Sequence, residues 1–136
     1  MGDILKRIGE IGIVPVIKID GADKAVPLGR ALQAAGIPVA EVTFRTKAAP
    51  DAIRAMADEL PGLLAGAGTV TSVDMAKAAA AAGARFIVCP GWDDAVVDWC
   101  LGEGMPVLPG VSGPDGVMKG LSKGLDALKF FPAEAL

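Results

Sequence analysis

Short apolar runs alternate along the chain with longer stretches in which apolar and polar residues recur at helical spacing. The runs occupy residues 13–19, 38–43, 63–67, 85–89, 106–108 and 127–131 and are nearly unbroken. Unbroken apolar runs of this length predict strands covered on both faces, as in a parallel sheet. Between them, Ala25, Leu28, Leu32 and Ala35 fall on one helical face. So do Ile53, Met56, Ala57 and Leu60, and Val96, Val97, Cys100 and Leu101. The stretch from Val73 to Ala82 is alanine-rich, and its small side chains suit close packing on a sheet. Asp51, Ser72 and Asp93 or Asp94 stand where helix N-caps belong. Gly36, Gly62, Gly83, Gly104 and Gly124 stand where left-handed helix ends belong, at intervals of 26, 21, 21 and 20 residues. That interval is the length of one strand plus one helix.

The repeating unit predicts an α/β fold with a parallel sheet, either open and doubly wound or closed into a barrel. Its even period favours the barrel. Gly66-Ala67-Gly68 approaches a dinucleotide-binding fingerprint, but Thr71 stands where the third glycine belongs. The expectation is a (β/α)8 TIM-type barrel of which about six strand and helix units are present. Residues 1–136 form one barrel domain in this reading, cut after the sixth strand, because a typical eight-fold barrel needs roughly 250 residues. A six-stranded open barrel would leave two long apolar edges.

Hydrophobic residues make up 52% of the chain and charged residues 21%, which excludes a disordered polypeptide. The net charge is -3 and the lysines and arginines are scattered, so no nucleic-acid footprint is present. No apolar run reaches the roughly 18 residues of a membrane-spanning helix, and Met1-Gly2-Asp3-Ile4-Leu5-Lys6-Arg7 lacks the apolar stretch of a secretory signal. A soluble cytoplasmic protein is expected. Cys89 and Cys100 read as two buried free thiols. Histidine and tyrosine are absent, and so is asparagine, which removes the usual imidazole acid/base and leaves Lys, Glu, Asp, Ser, Thr and Cys for any chemistry.

In such barrels the reactive groups gather at the carboxyl ends of the strands. Glu41, Thr43 and Arg45 share one face of the second strand, and Lys129 shares a face with Phe131. If those faces point inward, an acid, a guanidinium and an amine converge. A lysine between Leu128 and Phe130 is expected to give up its proton more readily than a surface lysine, and a neutral amine attacks carbonyls. The alternative is a strand-end lysine that snorkels to solvent, with Glu41 and Arg45 forming a structural ion pair with each other or with Lys129. Lys18, at the end of the first strand, is the competing nucleophile.

Several blocks of the sequence carry a resemblance. Gly12-Ile13-Val14-Pro15-Val16-Ile17, Glu41-Val42-Thr43-Phe44-Arg45-Thr46, Gly66-Ala67-Gly68-Thr69-Val70, Pro90-Gly91, Pro109-Gly110 and Lys129-Phe130-Phe131-Pro132-Ala133-Glu134 occur in order across the whole chain. Together they resemble the 2-keto-3-deoxy-6-phosphogluconate (KDPG) and 4-hydroxy-2-oxoglutarate aldolases, over the first six strands of that barrel. The glutamate and lysine blocks are specific; the Pro-Gly pairs are weak. The resemblance implies a class I aldolase in which Lys129 forms a Schiff base with the ketone of a pyruvate unit and Glu41 is the general acid/base. It further implies that Arg45 and Thr69 hold the pyruvate carboxylate and that Pro90 and Phe131 wall its apolar side. No metal or other cofactor is implied, since a protonated imine is itself the electron sink. The implied partners are a small 2-keto acid and further copies of the chain, as a trimer, or a complementing fragment; the alternative function is that of a catalytically incompetent barrel fragment acting as a folding or assembly module. In that family glycine-rich turns after strands seven and eight hold the phosphate, beyond the blocks matched here. The 113–116 segment, Gly113-Pro114-Asp115-Gly116, departs from the loop expected after the fifth strand.

Overall fold

The structure, a computed structural model, describes residues 2–135. Helix α1 (Gly2–Ile11) leads to β1 (Val16–Ile17), a short 3-10 turn and α2 (Ala25–Ala34). Then β2 (Val39–Thr43), α3 (Ala49–Glu59), β3 (Leu64–Gly68), α4 (Val73–Ala82), β4 (Ile87–Val88) and α5 (Asp94–Glu103) follow in strict alternation. Next come β5 (Val107–Leu108), β6 (Gly110–Val111), α6 (Pro114–Ser122) and β7 (Lys129–Phe130). Strands β1 to β5 pair in parallel and in sequence order, and β6 pairs in parallel with β7. This is the wall of a (β/α) barrel, as the sequence pattern predicts.

The fifth predicted run, 106–108, is β5, and the structure adds a further short strand, β6, just beyond it. Pro109 divides β5 from β6, because its nitrogen has no hydrogen for a ladder bond. Its carbonyl still accepts from the Lys129 amide at 3.0 Å, and the Val111 carbonyl accepts from the Phe131 amide at 3.1 Å. The segment carrying Lys129 is thereby fixed to the fifth strand position.

Side chains alternate across the wall. The outward residues Ala40, Val42, Ala65, Ala67, Ile87 and Val107 join the larger core beneath α2 to α5, with Ile53, Met56, Ala76, Ala79, Val96, Val97 and Cys100. The alanines of α4 pack as expected, Ala76, Ala79 and Ala82 being buried. The inward residues Val39, Leu64, Phe86 and Val88 form a second core, and Ile4, Ile8 and Ile11 of α1 pack against it. A Cβ on Gly66 would strike the ring of Phe86, so the glycine is the space that Phe86 fills. The α1 helix is not among the sequence expectations, although Ile4, Ile8 and Ile11 have helical spacing.

Several expectations need correction. Ser72 and Asp93 cap α4 and α5, each accepting a bond from the amide three residues on, but Asp51 lies inside the first turn of α3, whose N-cap is Ala48. Gly36, Gly83, Gly104 and Gly124 adopt left-handed φ; Gly62 does not, since α3 ends at Glu59 with Leu60 as its C-cap, two residues before the glycine. Pro114 to Gly116 are the first turn of α6 and not a loop, with Pro114 at a position that needs no amide hydrogen. The first and last runs are not covered on both faces. Among the described residues, strands β1 and β7 stand at the two ends of the wall and pair on one side only, with Val16 and Phe130 57% and 58% exposed.

Candidate active site

At the carboxyl ends of the strands lies a cavity of about 270 Å³ lined by Val16, Glu41, Thr43, Arg45, Thr69, Pro90, Lys129 and Phe131. All six residues singled out in the sequence line it. Lys129 reaches it from β7 with its side chain 25% exposed, so it stands at a wall and not deep inside an apolar strand as the run 127–131 suggests. Glu41 reaches it from β2 with its side chain 5% exposed. The Lys129 Nζ lies 3.7 Å from Glu41 Oε1 and 4.8 Å from the centre of the Phe131 ring.

Glu41 is held apolar on one side and charged on the other. Burial pushes its carboxyl pKa up, while the Lys129 ammonium and, more weakly, the Arg45 guanidinium pull it down; burial is the larger effect. Its Oε1 is buried and has no hydrogen-bond partner among the described residues. A buried carboxyl oxygen without a hydrogen bond is costly even with the ammonium 3.7 Å away, and groups of that kind are candidates for a functional site. Space for the carboxyl is made by Gly68, where any Cβ would run into Glu41. Gly66-Ala67-Gly68, which fails as a dinucleotide loop, thus places two inward-facing vacancies, one for Phe86 and one for Glu41.

Arg45 lies just past the end of β2, where its Nε donates to the Thr43 hydroxyl at 3.0 Å. That hydroxyl donates in turn to the Ile17 carbonyl at 2.8 Å, linking β1, β2 and the guanidinium. Thr43 is the positioning residue that the sequence face contained without revealing its bonds. No ion pair joins Arg45 to Glu41 among the described residues; of the alternative pairings, the one that forms is that of Glu41 with Lys129. The terminal nitrogens of Arg45 make no hydrogen bond among the described residues, so its paired donors remain available at the cavity wall. Thr69 follows β3 with φ of 55°, a left-handed conformation that costs a β-branched residue roughly 1–2 kcal/mol. Strain of that kind collects where a side chain or amide must be aimed.

The competing lysine is elsewhere. Lys18 lies beyond the end of β1 with its side chain 55% exposed, and it stands 3.9 Å from Asp20. Cys89 and Cys100 are free and buried, as expected, and burial pushes their thiols up to about 12 and about 11. Neither is a thiolate at neutral pH. Among the described residues no helix is long and apolar enough to cross a membrane.

Parallel strands in barrel order, with an amine and a buried carboxyl facing each other at their carboxyl ends, define a (β/α)-barrel protein with its site where that architecture holds its chemistry. Comparison with known proteins sharpens the class. The chain belongs to the KDPG and KHG aldolase family, whose model matches residues 4–136. It is 44% identical over 133 residues to the 2-dehydro-3-deoxy-phosphogluconate aldolase of Treponema pallidum, covering 98% of this chain and 63% of that protein. The corresponding aldolase of Haemophilus influenzae is 42% identical over 97% of this chain and 62% of its own length. The chain therefore spans less than two thirds of these relatives. Among solved structures, the KDPG aldolase of Zymomonas mobilis ATCC 29191 superposes with a TM-score of 0.87 at 40% identity, covering 94% of this chain and 64% of that one. The KDPG aldolase of Legionella pneumophila, with pyruvate captured as a covalent carbinolamine intermediate, gives 0.86 at 40% identity, covering 90% and 59%.

Proposed function

We propose that this chain carries the covalent centre of a class I aldolase that cleaves KDPG to pyruvate and glyceraldehyde 3-phosphate, and also acts on 4-hydroxy-2-oxoglutarate. The observation that carries this reading is the Lys129 and Glu41 pair, 3.7 Å apart in a cavity that also gathers Arg45, Thr69, Pro90 and Phe131. Lys129 Nζ adds to the C2 carbonyl of the 2-keto acid, forming a carbinolamine that loses water to give a protonated imine. The C3–C4 bond then breaks, its electron pair flowing into the imine to leave an enamine, while the C4 hydroxyl loses its proton as the aldehyde departs. Protonation of the enamine at C3 and hydrolysis release pyruvate and restore the amine. Glu41 carries the protons, a role suited by a carboxyl whose pKa burial has raised toward the working pH. Arg45 and Thr69 hold the substrate carboxylate, and Pro90 and Phe131 wall the methylene side.

The resident groups supply this chemistry without a cofactor in our reading. We further propose that residues 1–136 work as one barrel domain, in a cytoplasmic homo-oligomer, a trimer as the family resemblance implies.

Incubation with pyruvate and borohydride tests the assignment. One carboxyethyl group is expected on the peptide containing Lys129, none on that containing Lys18, and none at all in Lys129→Arg. Folded protein that gains no mass, or that gains it at Lys18, overturns the reading.

A further inference from the structure

Pro90 and Phe131 face the cavity from just past the ends of two different strands, β4 and β7, so the gap between them depends on what each is tied to. On one side, the Phe131 amide donates to the Val111 carbonyl of β6. Helix α6 sits on these strands through two glycines, since a Cβ on Gly116 would come within 2.7 Å of Val111 and one on Gly120 within 2.8 Å of Leu128. It therefore rides on the strands that carry Phe131.

The Pro90 side is held in two places. Gly110 packs against the turn, where its amide donates to the Gly91 carbonyl at 3.3 Å and a Cβ would strike the Pro90 carbonyl. The second hold is Trp92. Its indole N–H donates to Asp94 Oδ1 at 2.9 Å, Lys119 Nζ of α6 donates to Asp94 Oδ2 at 2.9 Å, and the same ammonium stands 5.2 Å from the centre of the indole ring. A hydrogen bond, an ion pair and a cation–π contact thus share their members and fix one aromatic side chain. As an ion pair, side chains 41% and 59% exposed add little stability. What the strut does is refer the Pro90 turn to the helix that rides on the Phe131 strands. A second pair, Lys123 Nζ to Asp98 Oδ1 at 2.6 Å, joins the same two helices one turn further along and serves their docking alone.

We propose that Lys119, acting through Asp94 and Trp92, is a positioning residue that sets the gap between Pro90 and Phe131, the slot for the methyl end of the pyruvate unit. The inference rests on the Lys129 assignment and adds to it a residue from another element. Lys129 is held separately, by its amide on the Pro109 carbonyl, so a loosened strut widens the slot and leaves the amine in place. A wall of that kind supports bound ketone and reacting state alike, and its loss is read in half-saturation and not in maximal rate.

Borohydride trapping on Lys129, titrated with pyruvate in variants whose melting shows them folded, tests it. Lys119→Met keeps the stem and removes the ammonium; the half-saturating pyruvate concentration is expected to rise about fivefold while the maximal labelling rate stays within about twofold. Lys119→Arg, which keeps a cation for both the carboxylate and the ring, should restore most of the loss. Trp92→Phe, which keeps the ring and loses the bond to Asp94, should fall between. Lys123→Met, which breaks the other tie between the same helices, should leave both quantities within about twofold. Equal effects of Lys119→Met and Lys123→Met would reduce Lys119 to helix docking and overturn the proposal, as would an unchanged half-saturation or a fall in maximal rate alone in Lys119→Met. Those outcomes leave the Lys129 assignment standing, whereas no label in the unsubstituted chain sinks that assignment and the strut with it.

Discussion

Glu41 carries a proton balance that reaches beyond chemistry. Its folded pKa lies above the ordinary 4.5 because burial outweighs the pull of Lys129 and Arg45. The folded carboxyl therefore holds its proton to a higher pH than the unfolded one. Its contribution to stability is present in full below 4.5 and is lost as the pH rises through the folded value. Glu41→Gln removes the buried charge, so denaturation at pH 8 should show the variant more stable by about 1 kcal/mol, with the advantage vanishing toward pH 4.5, while the proposed proton transfer predicts slower pyruvate trapping. A variant destabilised at every pH would mean that the pair with Lys129 outweighs the desolvation. Gly68→Ala makes the reverse test of the same contact. Its methyl must displace the Glu41 carboxyl, at about 1–3 kcal/mol of overpacking in a denaturant melt, and pyruvate trapping should slow with it. Glu41, Arg45 and Lys129 were legible because strand alternation places like-numbered positions on one face. Thr43 as the hinge of Arg45, and Gly68 as the seat of Glu41, were not, since both depend on which neighbour faces the residue across the wall.

At the scale of elements, helix ends separate what is local from what is not. Ser72 and Asp93 were readable as caps because the capping bond joins residues three apart. Asp51 and Gly62 have the right residue types and miss their roles, because Pro50 draws the start of α3 back and Leu60 ends it early against the core. Gly83 combines both kinds of demand. It has φ of 101°, and a Cβ would come within 2.8 Å of Ala57, so its alanine variant meets strain and a neighbouring helix together. Gly104 has φ of 67° with open space around it. Chemical denaturation is expected to cost Gly104→Ala about 1 kcal/mol and Gly83→Ala clearly more, roughly 2 kcal/mol. Equal losses would show that helix packing adds nothing at Gly83. The break between β5 and β6 at Pro109 follows from one missing hydrogen, yet β6 itself became visible only where β7 pairs with it.

Across the whole molecule, the wall ends in two edges, β1 and β7, with Val16, Ile13 and Phe130 exposed along them. Unpaired edges with apolar side chains seek partners. Sedimentation of this 136-residue chain should therefore show concentration-dependent association, and Phe130→Lys should shift it toward the monomer. Unchanged association in that variant would place the contact elsewhere. The edges explain why runs that look uniform in sequence differ in burial. Hydrophobicity is a property of the residue, while coverage depends on whether another strand lies beyond it. The sequence by itself determined the alternation of strand and helix, the parallel barrel class and the face that groups Glu41 with Arg45, because each rests on spacing within one element or on residue chemistry, while Thr69, Pro90 and Phe131 were singled out by the family resemblance alone. Only the tertiary structure decided that Lys129 faces Glu41 across the cavity, that Lys18 does not, and that two glycines make room for a ring and a carboxyl. Those are distances between elements far apart in the chain, set by strand register and packing and carried by no local pattern.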